Sequence, residues 1–293
     1  MKKIFIGTAG WSYKDWVGPF YIKSQSAKYD WLKYYSGYFN SVEVNSTYYA
    51  YVNNETVKNW VNKVSHKNNF IFEIKLHQDF THLKKFNKGN VNAVRENLDI
   101  LKDSERFGSL LLQFPYSFHM NSENISYLSR LSELFAVYKK VVEVRHNSWD
   151  NEKAVELFNE YGLTFCSVDQ PEVGRSLKFS LTVSDRRAYL RLHGRNKDEW
   201  FRNFNSFKAK QTFEEKNARY NYRYSPGELT EIKVMIEEHF EEIDEIHVIF
   251  NNHPGGKAVL NAIELNALLN NNFYEMPERE PGLFPELKKT TMN

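Results

Sequence analysis

A short β-branched run, a polar loop and a stretch with apolar residues at helical spacing recur along this chain. The strand-like runs are Lys3–Thr8, Ser41–Thr47, Phe70–Leu76, Ser109–Phe114, Val141–Asn147, Thr164–Asp169, Ala188–His193 and Glu245–Asn252. Strands alternating with helices predict parallel pairing through crossovers. Eight such units predict an α/β fold of the closed (β/α)8 TIM-barrel type, with an open doubly wound sheet as the alternative. Val57, Trp60, Val61 and Val64 set an apolar face over Glu55–Ser65, and Val91, Val94, Leu98 and Leu101 another over Val91–Leu101. Ile125–Phe135 and Lys153–Tyr161 keep the same period. Ser225, Pro226 and Glu228 read as the cap, first-turn proline and capping-box acid of a helix running to about Ile243. A last helix spans about Lys257 to Leu269. Gln170–Arg187 has no helical pattern, so the sixth helical unit is degenerate. Long loops follow the first and seventh strands. Residues 1–270 are expected to form one barrel domain, and 271–293, with Pro277, Pro281 and Pro285, an extended tail packed on it.

Alternation with period two sorts each strand into two faces. Val42 and Val44 oppose Glu43, Asn45 and Thr47; Phe72 and Ile74 oppose Glu73, Lys75 and His77. Val142 and Val144 oppose Glu143 and Arg145; Cys166 and Val168 oppose Ser167 and Asp169; Leu190 and Leu192 oppose Tyr189, Arg191 and His193. With the apolar sets toward the helices, the polar sets face the barrel axis. Glu43, Glu73, Glu143 and Asp169 then stand against Lys75, Arg145 and Arg191, with His193 adjustable. Isolated buried charge is costly, so these groups must be paired or hydrated. One reading is an ion-pair network that only fixes register. The other is a polar site at the carboxyl ends of the strands, where barrel enzymes place their chemistry.

Composition narrows the partners. Over 293 residues, 39 Lys and Arg against 37 Asp and Glu leave a net charge of +2, so any nucleic-acid contact needs a local patch. Cys166 is the only cysteine, which excludes a disulfide framework and a cysteine-based zinc site. No apolar run approaches the roughly 20 residues of a membrane helix. Met1-Lys2-Lys3-Ile4 leads directly into a strand, so a signal peptide is not expected and a cytoplasmic location is.

The predicted strand ends gather candidate chemistry: His77, Asp79, Thr81 and His82; His146, Ser148 and Trp149; Gly194 and Arg195; Asn251, Asn252 and His253. Histidines around one mouth beside acids raise a divalent metal as an alternative, for instance among His193, Glu143 and Asp169, although no HExxH spacing supports it. Gly255 and Gly256 open the last helix and suit close approach of an anion to free N–H groups, or simply make a tight turn. The loop from Gly194 to Tyr224 interleaves eight bases with aromatics, Trp200 among them. It suits a lid over the mouth, or phosphate contact with base stacking.

GTAGWSYKDWVGPFY (7–21), VEVNSTYY (42–49), FEIKLHQDFTH (72–82), GSLLLQFP (108–115), VVEVRHNSW (141–149), SVDQP (167–171), YLRLHGRN (189–196), RYNYRYS (219–225) and FNNHPGGKAVLNA (250–262) together resemble the YecE-like family, a domain of unknown function, the seventy-second in its series. The resemblance covers roughly residues 3 to 270 in order. It implies a TIM-type barrel and no reaction, cofactor or catalytic residue. A looser similarity links such barrels to the xylose-isomerase-like and endonuclease-IV-like group, which binds divalent metals through strand-end His, Glu and Asp.

The leading expectation is an enzyme, of unassigned reaction and cofactor, acting on a small anionic and phosphorylated substrate in the mouth. Arg145, Arg191, Arg195, Gly255 and Gly256 would hold the anion. Glu43, Glu143 and Asp169 are candidates for proton transfer, and His193 is the acid–base histidine by position. Lys75 pairs with Glu43 or Glu73 or, with a lowered pKa, serves as a Schiff-base lysine. Trp11, Tyr13, Tyr48 and Trp149 supply aromatic walls, and Asn45, His82, Asn251 and Asn252 polar contacts. The rivals are a nucleic-acid-binding or repair-type barrel using the 195–224 loop, and a non-catalytic ligand-binding module with a plugged mouth. No membrane partner is expected.

Overall fold

In a computed structural model, residues 2–205 and 212–270 are described; the expected tail, 271–293, lies outside them. Eight strands, β1 (Lys3–Ala9), β2 (Ser41–Val44), β3 (Ile71–Lys75), β4 (Phe107–Gln113), β5 (Lys140–Glu143), β6 (Leu163–Asp169), β7 (Arg187–Leu192) and β8 (Glu245–Phe250), close into a barrel in sequential order. Every pair is parallel, and β8 returns to β1 with Lys3 opposite Glu245. This is the (β/α)8 barrel.

The helices are α1 (Trp31–Tyr35), α2 (Ser46–Tyr49), α3 (Asn54–Lys63), α4 (Gln78–Thr81), α5 (Lys88–Asp103), α6 (Ser122–Leu134), α7 (Glu152–Glu160), α8 (Lys197–Asn205), α9 (Phe213–Ala218), α10 (Pro226–Glu238) and α11 (Lys257–Asn270). Asn53, Asn87, Asn121 and Asn151 cap α3, α5, α6 and α7 by accepting N–H bonds near the helix start. Ser225 and Glu228 form a reciprocal capping box around Pro226 in α10. Between β6 and β7 no helix forms. The stretch expected as a loop after β7 instead carries α8 and α9. Among the described residues no helix is long and apolar enough to cross a membrane.

Outward side chains of the strands, such as Val42, Phe72, Leu110, Val142, Leu190 and Val248, join the helices in the main core. The inner face is layered. Ala9, Leu111, Val141, Cys166, Tyr189 and Ile249 make a single apolar layer at mid-height. Toward the amino ends of the strands lie Glu73, Ser109 and His247; toward the carboxyl ends lie Glu43, Lys75, Glu143 and Arg191.

Strand six departs from the expected face assignment. Cys166 and Val168 point inward with the apolar layer, whereas Ser167 Oγ accepts from Thr182 N and Asp169 meets Arg195 outside. The missing sixth helix accounts for this: the coil after β6 offers a backbone N–H, that of Thr182, to the outward Ser167.

The first loop is fastened across the β1–β8 seam. Trp16 Nε1 donates to His253 O at 2.8 Å, and Gly255 N donates to Asp15 Oδ2 at 2.8 Å. Gly255 has φ +65°, a left-handed conformation that favours glycine, and a Cβ at Gly256 would press on Pro19.

Candidate functional site

The carboxyl-end layer is built on four strands. Arg191 of β7, 1% exposed, crosses the barrel axis. Its Nε donates to Glu43 Oε2 at 2.9 Å and its Nη2 to Glu43 Oε1 at 2.6 Å, a bidentate clamp. Its Nη1 donates to Glu143 Oε2. Arg145 grips the other oxygen of Glu143 through Nε at 2.9 Å and Nη2 at 2.7 Å. Tyr189 OH donates to Glu43 Oε2 at 3.1 Å. Burial alone would raise the Glu143 carboxyl, but the Arg191 and Arg145 guanidinium groups hold it well below the usual carboxylate range.

Lys75 breaks this pattern. Among the described residues it has no recorded ion pair with Glu43 or Glu73, contrary to expectation. Its Nζ sits 4.2 Å from the centroid of the Tyr48 ring. Burial, reinforced by the neighbouring Arg191 guanidinium, pushes its pKa down to about 7. The Tyr48 hydroxyl is itself pushed up to about 12 by burial.

Two histidines border the cluster. His193 is fully buried, and Asn251 Nδ2 lies 2.9 Å from its Nδ1. A donating amide there leaves the imidazole proton on Nε2. That Nε2 has no hydrogen-bond partner and lies 3.8 Å from Glu143 Oε1, beyond bonding reach. Burial pushes the His193 pKa down to about 3. His82 meets the Tyr48 ring edge-on, bonds Thr81 Oγ1 through Nδ1, and is pushed down to about 4 by burial, with Lys75 adding.

Above them lies a cavity of about 220 Å³ whose lining includes His82, Gln113, Arg145, Gln170, Trp200 and Arg219. Trp200, supplied by α8, roofs it, with Arg145 and Arg219 guanidinium carbons 5.9 and 5.1 Å from its ring. Gln170 Oε1, Trp200 Nε1 and Arg219 Nε, all on this lining, are buried without a hydrogen-bond partner among the described residues. Buried polar atoms are nearly always satisfied by protein or water, and three on one lining give this cavity a polar wall.

Other expected site residues sit elsewhere. Asp169 faces outward; Arg195 Nε reaches it at 2.9 Å and Arg195 Nη1 reaches Glu228 at 3.2 Å, so neither belongs to the mouth. Trp149 is buried outside the barrel, stacked on Phe118 with its Nε1 bonded to Phe118 O. Trp11 packs edge-on against Trp60 of α3. Tyr13 stacks on His253 and donates to Ala9 O. Asn252 Nδ2 ties Tyr222 O to Asn261 Oδ1. At Gly255 and Gly256 the anion expected of a ligand is the chain's own Asp15 carboxylate. Arg191 has each of its three guanidinium nitrogens bonded to a glutamate, and its charge is shared between Glu43 and Glu143. Among the described residues no three His, Cys, Asp or Glu side chains converge as metal ligands would.

Glu73 points inward but toward the other end. Its Oε1 meets His247 Nδ1 at 2.7 Å and its Oε2 accepts from Ser109. His247 also reaches Glu245 through Nε2 at 3.0 Å. Burial opposes charge on this ring, yet the Glu73 and Glu245 carboxylates raise its pKa. Sequence reasoning missed His247, although period two places Glu245, His247, Ile249 and Asn251 on one face. It also missed Gln113, Gln170 and Arg219. Gln113 was readable from the Ser109, Leu111, Gln113 alternation; the other two lie on irregular backbone, which has no period. The bases of the long loop turn toward acids or rings: Arg202 to Glu199, Arg223 to Glu264, Arg219 over Tyr220. Lys208 and Lys210 lie outside the described residues.

A family model described as "Protein of unknown function DUF72" matches residues 5–283. The UPF0759 protein YunF of Bacillus subtilis (strain 168) is 27% identical over 296 residues, covering 96% of this chain and all of that one. The crystal structure of a DUF72 family protein from Thermotoga maritima MSB8 superposes with a TM-score of 0.78 at 30% identity, over 92% of this chain and 99% of that one. A DUF72 family protein from Enterococcus faecalis V583 shares the fold, with a TM-score of 0.78 at 24% identity, over 95% of this chain and 100% of that one.

Proposed function

The chain belongs to the DUF72 family, whose barrel it shares, and from its own side chains we propose that it is an enzyme acting on a small anionic molecule at the carboxyl-end mouth. Arg145 and Arg219 face the anionic group, Gln113 and Gln170 orient the remainder, and Trp200 excludes water from above. Lys75 is the group that changes protonation. The cavity of about 220 Å³ falls below the range of about 300–1,000 Å³ usual for drug-sized ligands, which favours a metabolite of few atoms.

Charge balance carries this reading. The carboxylates of Glu43 and Glu143 are matched by the guanidinium groups of Arg191 and Arg145. Protonated Lys75 therefore brings these five groups to +1, Arg219 on the lining adds a further positive charge, and an entering anion offsets this excess. An anion also favours the charged lysine, so its arrival draws in a proton. The arginines, rather than the glycine turn already filled by Asp15, receive the ligand.

Calorimetric titration of the full chain with phosphate, pyruvate and acetate, against neutral acetone, tests the proposal. Arg145→Gln should weaken anion binding about tenfold or more, since a charge-assisted hydrogen bond contributes about 1.5–3 kcal/mol. Absence of binding by every anion at millimolar concentration, or equal affinity in Arg145→Gln, would overturn it.

A further inference from the structure

Building on that reading, we infer that Lys75 is a carbonyl-reactive amine, and that the molecule taken up at the mouth carries a carbonyl group beside its anionic group, as a 2-oxo acid does. Three observations on the same side chain point this way. Lys75 is the last residue of β3, and its Nζ lies against the Tyr48 ring, which in turn meets His82 of the cavity lining. Its Nζ has no recorded hydrogen bond or ion pair among the described residues, while both carboxylates of the layer are held by arginines. A lysine serving only register would be expected to take one of those carboxylates.

The third observation is the setting of the nitrogen. Burial and Arg191 bring its pKa to about 7, so about half of the amine is neutral and nucleophilic at neutral pH. The Tyr48 ring presents its face to Nζ at 4.2 Å, where a cationic product is stabilised as an ammonium would be.

The step balances without an outside oxidant or reductant. The Nζ lone pair forms the C–N bond to the carbonyl carbon, and a nitrogen proton passes to the former carbonyl oxygen. A further proton from solvent lets that oxygen leave as water, and the C=N bond that forms carries one positive charge. This iminium replaces the ammonium within the same layer, and the anionic group of the substrate neutralises it. A neutral ketone gives the same iminium with nothing to balance the charge, so anionic carbonyl compounds are selected. His82, neutral at pH 7, stands against the Tyr48 ring beside Lys75 and is placed to relay these protons.

Reductive trapping tests this. The full chain is treated with pyruvate or glyoxylate and sodium borohydride, with acetone as the neutral control, followed by intact mass measurement and peptide mapping. The expected result is one reduced adduct, on Lys75, at least tenfold faster with pyruvate than with acetone, and with a pH midpoint near 7. Phosphate should protect the site, and Lys75→Arg should lose the adduct. Labelling scattered over surface lysines, equal labelling by acetone, or no adduct overturns the inference; peptide mapping of the unaltered protein decides this even if Lys75→Arg fails to fold. If no adduct forms while Arg145-dependent anion binding persists, the carbonyl chemistry falls and the anion-binding enzyme stands. If binding is absent too, both fall.

Discussion

Replacing Lys75 by methionine should stabilise the protein, and by an amount that depends on pH in a defined direction. Methionine keeps a straight apolar stem of similar length and removes the amine. In the unfolded chain the lysine titrates near 10.5; in the folded barrel burial and Arg191 lower this to about 7. Between these values the unfolded chain binds more protons, so the folded state loses stability as pH falls through that window. At about 1.4 kcal/mol per pH unit, the ceiling is about 5 kcal/mol below pH 7, about 2 kcal/mol at pH 9 and under about 1 kcal/mol at pH 10. Water entering through the mouth screens part of this, so a gain of about 2 kcal/mol at pH 7 is expected for Lys75→Met. Urea unfolding of both proteins from pH 6 to 10, followed by circular dichroism, gives the difference directly, with unchanged m values confirming a comparable transition. The gap should close as pH approaches 10.5. A gap that stays flat across this range, or a variant less stable throughout, would show that the amine is solvated or paired and would remove the basis for its reactivity. Stability sacrificed at one side chain is a common mark of function.

Arg191→Met leaves Glu43 and Glu143 buried without their shared partner and should cost about 3–5 kcal/mol in chemical denaturation; a loss under about 1 kcal/mol would mean the layer is hydrated. Gly108→Ala presses a methyl on the Glu73 carboxylate, and this overpacking should cost about 1–3 kcal/mol, read as a lowered urea midpoint. His193, pushed down to about 3 by burial, should keep a neutral ring protonated on Nε2 in nitrogen-15 NMR spectra down to pH 4; titration near 6.5 would contradict its enclosure.

The eight strands were legible as short β-branched runs recurring between loops and helical stretches, and the barrel follows from their number and spacing. The inner placement of Glu43, Glu143, Arg145 and Arg191 was legible for the same reason. Strand six misled because its facing depends on what covers it outside, and its own alternation says nothing of a missing helix. Glu73 was read to the correct face but not to the correct height, since strand tilt sends it toward His247. Trp149 and Trp11 were taken for walls of the mouth because they follow strand ends, yet both pack laterally over helices. The Asp15 bond to Gly255 spans 240 residues, and no local pattern encodes a contact of that range.

That long span has a bearing on how the molecule is made. The first loop leaves the ribosome more than 230 residues before His253 and Gly255, which fasten it. Until then β1 has an unpaired edge, and its backbone N–H and C=O groups are open to any other extended chain. The ring is therefore sealed by β8, and a product truncated before His253 lacks both bonds of that fastening.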